Sequence, residues 1–577
     1  MDGMQASNTT AQAAAWLAAF EDALAAGNPA AVTALFLPDG HWRDVLALGW
    51  TIRTVSRAPA IASLLRDGMP TARLRGVHVA PGRTGPRRVV RASSAVIEVI
   101  FAFETAFGPG SGVVRLVPDP AAPDRLLAWT IVTTLDALSH RAPARPPEFP
   151  REFGGENWLD QRNRARACED RDPDVVVVGA GQAGLSVAAR LGALGVDTLV
   201  IDRQDRVGDN WRKRYHALTL HNEVHVNHLP FMPFPPTWPV FIPKDKLANW
   251  FEAYAEAMEL NVWTGTALAH GAYDEGRWTL ALRQGGGERI VRPRHLIFAT
   301  GVSSIPVIPD LPGCGTFAGT VLHSGAYTNG AAWRGRRALV LGTGNSGHDV
   351  AQDLHASGAD VTLIQRSPTY VVSLKEAQSV YAIYAEGIPT ADCDLLATAT
   401  PYPLLVRAYQ LSTAASREVD RPLLERLAAR GFRLDFGEDE TGFQMKYLRR
   451  GGGYYFNVGC SDLIAGGQVG LLQYGDIDRF VADGAQLRDG RLVAAELLVL
   501  ATGYKNQQDV ARAALGDAVA DRIGPVWGFD ADGELRNMWR PTAQDGLWFT
   551  AGSLAQCRIY SKYLALQIQA RLDGIVA

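Results

Sequence analysis

The chain has 577 residues, of which 47% are hydrophobic and 20% are charged, so it is long enough to bury more than one globular core. Its formal net charge is −3 and it carries no long basic run, which argues against a nucleic-acid partner. The five cysteines form no CxxC pair, which fits reduced thiols and excludes the dithiol centre of a disulfide reductase.

The N-terminus and the apolar segments predict a protein without membrane attachment. Residues 1–24 lack the basic stretch that opens a secretory signal. No apolar run approaches the roughly 18 residues of a membrane span. We therefore expect a cytoplasmic protein with no membrane partner, and the sequence leaves both a monomer and a homodimer open.

The first 140 residues predict an α+β domain. Helical periodicity places Trp16, Phe20 and Leu24 on one face, and a second short helix follows. Three segments of strand-like sequence come next and end near residue 138. Helices followed by a run of antiparallel strands are typical of an α+β fold. Residues 141–172, rich in proline and arginine, predict a semi-rigid linker.

From residue 173 the pattern changes to that of a parallel α/β sheet. The segment VVVVGAGQAG (175–184) is an apolar strand that runs into glycines and a helix, and ALVLGTGNSG (338–347) repeats the arrangement. Two more apolar strands end in Ala-Thr-Gly. The fold class that we predict is α/β, with two Rossmann-like dinucleotide-binding domains behind the N-terminal domain. Their expected boundaries are 173–305 with 485–577 for the first and 306–484 for the second, with a helical insertion at about 374–470.

The two glycine phrases form one repeated motif. Residues 179–203 and 342–366 are identical at 11 of 25 positions without a gap. Each copy follows an apolar strand and opens a helix, the context in which GxGxxG indicates dinucleotide binding. The first glycine allows a tight turn, the second admits a pyrophosphate, and the third lets the helix pack on the strand. They are Gly179, Gly181 and Gly184 in the first copy and Gly342, Gly344 and Gly347 in the second.

The two copies differ where the second strand of each motif ends. The first copy has Asp202, followed by Arg203, and a carboxylate at this position accepts hydrogen bonds from ribose hydroxyls. The second copy has Gln365 followed by Arg366. A carboxylate would repel a 2′-phosphate, whereas a glutamine beside an arginine would tolerate and bind it. We therefore predict FAD at the first copy and NADPH at the second.

Residues from about 173 to 570 resemble a class B flavin-dependent monooxygenase of the flavin-containing monooxygenase type. Beside the two glycine phrases, VGDNW (207–211) resembles the family's GGxW motif, and FAGTVLHSGAY (317–327) matches its FxGxxxHSxxY fingerprint. The sister group, the Baeyer–Villiger monooxygenases, has a tryptophan where this chain has Tyr327, and it remains an alternative. Residues 1–140 resemble the NTF2-like, or SnoaL-like, fold in the order of their elements and in LFLPDGHWRD.

The resemblance implies an NADPH- and O2-dependent enzyme that acts on a small organic substrate. In this family NADPH reduces the flavin, O2 adds to give a C4a-hydroperoxyflavin, and one oxygen atom passes to the substrate. The flavin supplies the chemistry, and the protein supplies position and exclusion of water. An NADPH-dependent flavin reductase without oxygen transfer is a further alternative. A flavin-binding scaffold is disfavoured, because it would not need a second nucleotide.

The resemblance also implies roles for individual residues. His221 or Asn222 is expected to face the flavin and the retained NADP+, and with Tyr327 these are the predicted catalytic residues. No metal site is predicted. Aromatic residues such as Trp238 favour a bulky apolar or indole-like substrate. The remaining predicted cofactor contacts are Gly208, Trp211, Thr300, Gly301 and Gln556 for FAD and Asn345 and Ser346 for NADPH.

Overall fold

The computed structural model describes residues 2–141 and 153–576. The predicted linker, 141–172, therefore lies partly outside the described residues. Its later part is not all extended, because helix α4 spans Trp158–Ala167 and begins with a capping box between Asn157 and Asp160. Among the helices of the described ranges, none combines the length and the apolar character that crossing a membrane requires.

The N-terminal unit is a mixed sheet with three helices packed on one face. The strand order is β2-β1-β7-β6-β5-β3, β4 pairs with β5, and only β1 and β7 run parallel. Trp16 stacks on Phe20 with centroids 5.2 Å apart, and Phe20 meets Trp42 of the sheet at 5.6 Å. The elements are α1 (Asp2–Ala25), α2 (Pro29–Thr33), β1 (Phe36–Val45), β2 (Ile52–Ser56), α3 (Arg57–Ala72), β3 (Arg75–Val79), β4 (Arg87–Arg91), β5 (Ser94–Glu104), β6 (Pro109–Asp119) and β7 (Ala122–Leu135).

The rest of the chain alternates between strands and helices. After α4 come β8 (Val175–Val178), α5 (Gln182–Ala193), β9 (Thr198–Ile201), α6 (Asp209–Arg212), β10 (Thr219–Glu223), β11 (Phe241–Pro243), α7 (Lys244–Ala257), β12 (Asn261–Trp263), β13 (Thr266–Asp274), β14 (Arg277–Gln284), β15 (Gly287–Val291) and β16 (His295–Phe298). Then follow β17 (Thr320–His323), β18 (Arg337–Leu341), α8 (Asn345–Ala356), β19 (Asp360–Gln365), β20 (Tyr370–Ser373), α9 (Leu374–Ala377), α10 (Thr390–Thr398), α11 (Tyr402–Ala429), α12 (Gly442–Arg450), β21 (Tyr454–Asn457), α13 (Cys460–Ala465) and β22 (Gly470–Gln473). The last elements are β23 (Ile477–Val481), β24 (Gly484–Leu487), β25 (Leu492–Ala494), β26 (Leu497–Leu500), α14 (Gln507–Leu515), α15 (Asp517–Ile523), β27 (Leu547–Phe549) and α16 (Leu554–Leu572).

Two five-stranded parallel sheets form the centre of this part. Their orders are β12-β9-β8-β16-β27 and β17-β26-β18-β19-β22. Strands β8 and β18 are central in each sheet and almost entirely buried, which explains their continuous apolar sequence. In both sheets the glycine phrase follows the central strand. The two copies of the motif therefore occupy equivalent places in two equivalent sheets.

One predicted boundary is wrong. We assigned residues 485–577 to the first dinucleotide-binding domain, but β26 pairs in parallel with β17 and β18 and belongs to the second sheet. The chain returns to the first sheet only with β27, which pairs with β16. An apolar strand that ends in Ala-Thr-Gly suits either sheet, so its sequence could not decide between them.

The N-terminal unit is joined to the rest of the molecule by a buried ionic cluster around Glu98. The Glu98 carboxylate accepts hydrogen bonds from Arg87 at 2.8 Å, Arg91 at 2.8 Å and Arg115 at 2.9 Å, and its side chain is 1% exposed. Arg87 and Arg91 also pair with Glu386, beyond the second glycine phrase. This cluster therefore stabilises both the sheet of the N-terminal unit and its contact with the rest of the chain.

Replacing Glu98 with glutamine is expected to destabilise the protein at neutral pH and much less in acid. Burial works to raise the pKa of Glu98, but the hydrogen bonds from Arg91 and the charge of Arg115 lower it from 4.5 to about 2. A depressed carboxyl pKa adds stability that is complete above about pH 4.5 and is lost as the pH falls towards 2. The difference corresponds to roughly 3 kcal/mol in the free energy of unfolding.

Denaturant unfolding of Glu98→Gln and wild type from pH 7 downwards measures this effect. The gap in free energy should be largest at pH 7 and shrink below about pH 5. The control is Glu104→Gln, at the exposed end of the same strand. A gap that stays constant with pH would mean that the Glu98 charge carries no stability.

Candidate active site

The first glycine phrase forms a turn that only glycine fits. Gly179 has a φ of +115°, and a Cβ there would lie 2.6 Å from the Ala299 carbonyl oxygen. A Cβ on Gly184 would overlap the carbonyl oxygen of Gly179. Gly181 caps helix α5, whose first-turn N–H groups have no acceptor within the helix. This arrangement fits a pyrophosphate, which such a helix start binds through free N–H groups and the helix dipole.

The second phrase repeats this geometry. Gly342 has a φ of +120°, and a Cβ on it would overlap the Ala501 carbonyl oxygen. A Cβ on Gly347 would overlap the oxygen of Gly342. Gly344 is less crowded than Gly342 and Gly347. A Cβ built on it would lie 3.7 Å from the Tyr454 carbonyl oxygen, which is an ordinary van der Waals contact. The protein itself therefore leaves space above Gly344, as a bound pyrophosphate requires.

Asp202 lies beside the first turn. Its carboxylate accepts hydrogen bonds from the N–H of Ala180 at 2.7 Å and of Gln204 at 2.8 Å, and it is half-buried. The carboxylate thus stabilises the loop that would receive the ribose. Arg203 is exposed.

One glutamine that the sequence did not single out, Gln182, links two segments that carry predicted FAD contacts. Gln182, a variable position of the glycine phrase, accepts a hydrogen bond from the Trp211 indole at 3.3 Å and donates one to Gly552 O at 3.3 Å. Gly208, with a φ of +89°, begins the turn that carries Trp211. Gln556 accepts from the N–H of Ser553 at 3.0 Å in a capping box at the start of α16. Gln182 therefore connects the first and last segments of this site.

The first Ala-Thr-Gly segment, which contains the predicted FAD contacts Thr300 and Gly301, differs from the glycine phrases. The Thr300 hydroxyl accepts a long hydrogen bond from the Gln507 amide at 3.4 Å, and Gly301 has a φ of +73°. Nothing lies within 4 Å of a Cβ built on Gly301, so its backbone conformation, and not crowding, requires glycine.

The structure places His221 and Asn222 against different neighbours. The Asn222 amide donates to the Tyr381 hydroxyl at 3.1 Å. The His221 ring meets Phe456 edge-on at 5.3 Å, and burial lowers the pKa of this histidine although Asp349 works to raise it. Both side chains therefore contact the segment between about 374 and 470, and the charge of Asp349 in α8 also acts on His221.

Tyr327 does not have the position that a catalytic residue needs. It is 2% exposed, and its hydroxyl donates to Asp353 of α8 at 2.5 Å. Burial and the Asp353 carboxylate raise its pKa above the usual range. Close by, His323 contacts Gly503 O through Nε2 at 3.1 Å and accepts from the N–H of Gly325 through Nδ1. We therefore correct the prediction for Tyr327: this part of the fingerprint holds the fold around α8.

Asn345 and Ser346 lie at the start of α8, as the glycine phrase requires. The Asn345 side-chain oxygen accepts from the N–H of Phe456 at 2.9 Å, which fixes strand β21 above the phrase. Ser346 is half-buried. The side-chain oxygen of Asn345 is thus already hydrogen-bonded within the protein, which the sequence alone did not indicate.

Gln365 has a structural role that differs from our interpretation. It is fully buried, donates to Arg433 O at 2.9 Å and accepts from the N–H of Arg433 at 2.8 Å. Its amide therefore binds the insertion to the end of β19 and does not face solvent. The Arg433 guanidinium donates to Arg366 O at 2.8 Å, and both arginines are exposed. The cationic groups at this strand end are Arg366 and Arg433, and the second comes from a segment without a recognisable motif.

A cavity of about 440 Å³ adjoins the predicted FAD site. It lies between the N-terminal unit, the helical insertion and the C-terminal segment, and it reaches Ser553 and Gln556 at the start of α16. Gln556 is the only predicted site residue that lines it, and Trp238 instead stacks on Phe234 at 4.6 Å. Its aromatic lining residues are Tyr381, Tyr384, Tyr402, Tyr409, Tyr447, Phe529, Trp539 and Tyr560. Within residues 2–141 and 153–576, no group of three or more His, Cys, Asp or Glu is placed to hold a metal ion.

Two parallel sheets, each with a glycine turn after its central strand, define the fold of an oxidoreductase with two dinucleotide-binding domains. Residues 176–385 match the family described as pyridine nucleotide-disulphide oxidoreductase. Indole-3-pyruvate monooxygenase YUCCA1 of Oryza sativa subsp. japonica is 32% identical over 350 residues, 60% of this chain and 80% of that protein. The probable indole-3-pyruvate monooxygenase YUCCA4 of Arabidopsis thaliana is 30% identical over 339 residues, 58% of this chain and 76% of that protein.

Solved structures agree on the fold. The open crystal structure of cyclohexanone monooxygenase superposes with a TM-score of 0.51 at 19% identity, over 70% of this chain and 89% of that one. The OTEMO complex with FAD and NADP superposes with a TM-score of 0.50 at 17% identity, over 70% and 86%. The chain belongs to the class B flavin-dependent monooxygenase family. It is an FAD-containing enzyme that uses NADPH and O2 to insert one oxygen atom into a small organic substrate, which confirms the predicted class, cofactors and reaction.

Proposed function

We propose that this monooxygenase oxygenates a bulky aromatic substrate in the cavity at the start of α16. The observation that carries the proposal is the lining of that cavity, in which six tyrosines, Phe529 and Trp539 surround about 440 Å³. A volume of this size accepts a small drug-sized molecule, and aromatic walls favour an aromatic guest. The relatives named above are indole-3-pyruvate monooxygenases, so indole compounds are the first substrates to test.

In this proposal FAD lies on the first glycine phrase and NADPH on the second. When bound, FAD supplies the oxygen-transfer chemistry and NADPH supplies its electrons. The chain's own residues position and enclose the substrate. Gln182 holds Trp211 against the loop at Gly552, and Asn222 holds Tyr381 at the cavity wall. Fixed side chains of this kind exclude water and orient the substrate.

The N-terminal unit is, in the same proposal, an NTF2-like domain that covers the cavity. The order of its helices and strands supports this assignment, and Arg43, Ile52 and the segment Val90–Ala92 contribute to the cavity lining. The two dinucleotide-binding domains then comprise 173–305 with the C-terminal segment around β27 and α16, and the chain from about 306 to β26.

Arg433 is expected to contribute to the preference for NADPH over NADH. It lies with Arg366 at the end of β19, where a 2′-phosphate on the second site would approach. Arg433→Ala should raise the KM for NADPH about tenfold, a loss of ~1.4 kcal/mol, and leave that for NADH nearly unchanged. The control is Arg203→Ala, at the position of the first copy that corresponds to Arg366, and it should leave both KM values unchanged. An equal rise for both nucleotides would contradict this role.

The proposed function is tested with purified enzyme that retains its flavin. Anaerobic reduction by NADPH and NADH is compared first, and oxygen uptake and hydrogen peroxide release are then measured with indole-3-pyruvate, aromatic ketones and small aliphatic ketones under 18O2. We expect an aromatic compound to suppress peroxide release and to yield a product with one 18O atom. Labelled product from the aliphatic ketones alone would overturn the proposal.

A further inference from the structure

The cavity has a distinctive ionic lining. Four of its residues are cationic, Arg43, Arg91, Arg115 and Arg540, and one is acidic, Glu534. Arg43, Arg91 and Arg115 come from the N-terminal unit, whereas Glu534 and Arg540 precede β27. The charges that a substrate would meet are thus set mainly by the domain that stands outside the two dinucleotide sites.

Arg43 already makes four hydrogen bonds within the protein. Its Nε and Nη2 donate to the two Glu534 oxygens at 2.7 Å each, a bidentate pair with side chains 10% and 8% exposed. Its Nη1 donates to Thr398 O at 2.9 Å and to the Tyr560 hydroxyl at 3.1 Å. Glu534 also accepts from the Thr54 hydroxyl at 2.7 Å. A substrate carboxylate could take the bidentate position on Arg43 only by displacing Glu534.

The other three cations are paired as well. Arg91 and Arg115 bind Glu98, and Arg91 also binds Glu386 at 2.5 Å. Arg115 further donates to Ala399 O at 2.8 Å, and Arg540 pairs with Asp530. In the part of the chain that the structure describes, every cationic side chain of the cavity wall is therefore paired with at least one carboxylate, and Arg91 and Arg115 share Glu98 with Arg87.

This charge pairing determines which substrates the cavity favours. An ion that leaves water for a buried site needs a counter-ion, and a carboxylate forced between existing pairs would leave another acid unpaired. An uncharged substrate meets no such cost. Tyr381, Tyr409 and Tyr447 line the same cavity, and burial raises the pKa of each, so that their phenols stay uncharged.

We infer that the cavity selects uncharged aromatic carbonyl compounds over aromatic carboxylates, and that the N-terminal unit enforces this selection through the Arg43–Glu534 pair. The inference rests on the proposed function, because it takes this cavity as the substrate site. It distinguishes this enzyme from relatives named for indole-3-pyruvate, which is an acid. The selecting residue belongs to a domain that contacts neither glycine phrase by the interactions described above.

The first test compares indole-3-pyruvate with its methyl ester on the wild-type enzyme. The two probes share the indole and the ketone and differ in charge. We expect kcat/KM for 18O incorporation to be at least about tenfold higher for the ester. An equal or higher value for the acid would overturn the inference while leaving an aromatic substrate established. If neither probe is oxygenated and neither binds the holoenzyme in calorimetry, both the inference and the proposed function fail.

The second test changes the pair itself. Glu534→Gln frees Arg43 to meet a substrate carboxylate, so the ester-to-acid ratio of kcat/KM should fall by about tenfold. Asp530→Asn frees the more exposed Arg540 and should shift the ratio in the same direction, which keeps the test decisive if the first variant does not fold. Flavin content and thermal unfolding report on folding.

The control is Asp392→Asn. Asp392 binds Arg83 and the N–H of Thr84 at 2.8 Å, so it joins the same N-terminal unit to α10 but does not line the cavity. The ratio should stay at its wild-type value in this variant. A folded Glu534→Gln enzyme with an unchanged ratio, or an equal shift in Asp392→Asn, would show that charge pairing in the cavity does not select the substrate.

Discussion

Replacing Gly344 with alanine is expected to leave a folded, yellow protein that NADPH reduces poorly. A Cβ at this position would meet only the Tyr454 oxygen at 3.7 Å, and its φ of −82° suits any residue, so the fold can accept the change. The same methyl group would occupy the space that a pyrophosphate needs at the start of α8. We expect affinity for NADPH to fall about 100-fold, or ~2.7 kcal/mol.

Flavin reduction by NADPH under anaerobic conditions, followed at increasing nucleotide concentration, measures this change. Thermal unfolding and bound FAD should match the wild type. Gly315→Ala is the control, because a Cβ there has nothing within 4 Å and Gly315 lies outside both phrases. Unaltered reduction by NADPH in Gly344→Ala would show that the nucleotide does not approach this turn.

Replacing Gly184 with alanine is expected to give a protein that loses FAD altogether. A Cβ here would overlap the carbonyl oxygen of Gly179, which is backbone and cannot move without displacing α5 from β8. Overpacking of this kind costs about 1–3 kcal/mol of stability. It also moves the N–H groups that would bind the phosphates, so the purified protein should be colourless.

The flavin absorbance of the purified protein and its recovery on adding FAD provide the readout. Gly192→Ala is the matched control, since it lies in the same helix with nothing within 4 Å of a Cβ. That change should keep the flavin and stabilise the helix by about 0.5–1 kcal/mol. Full flavin content in Gly184→Ala would contradict the predicted role of this turn.

The sequence was most informative where backbone geometry restricts the residue type. Turns such as those at Gly179 and Gly342 require a positive φ and no side chain, so glycine spacing indicated both turns and the strands before them. Asp202 could be found for the same reason, because it lies at a fixed distance along the chain from such a turn. These features depend on about 25 consecutive residues each.

Features that depend on distant segments could not be predicted. Arg43, Tyr381 and Glu534 line one cavity although they are far apart in sequence, and no local motif relates them. Gln365 looked like a neutral substitute for a carboxylate, but the Arg433 backbone occupies its amide. Tyr327 matched a family fingerprint, and only the Asp353 contact shows its structural use. In each case the deciding partner lies in another element.

The strand order of the first sheet has a consequence for how the chain folds during synthesis. The edge strand β27 comprises Leu547–Phe549, so β16 lacks one neighbour until residue 549 has left the ribosome. The second sheet, in contrast, has all five strands once residue 500 is made. The second sheet would therefore be complete before the first, and the apolar edge of β16 would stay open to aggregation until β27 is made.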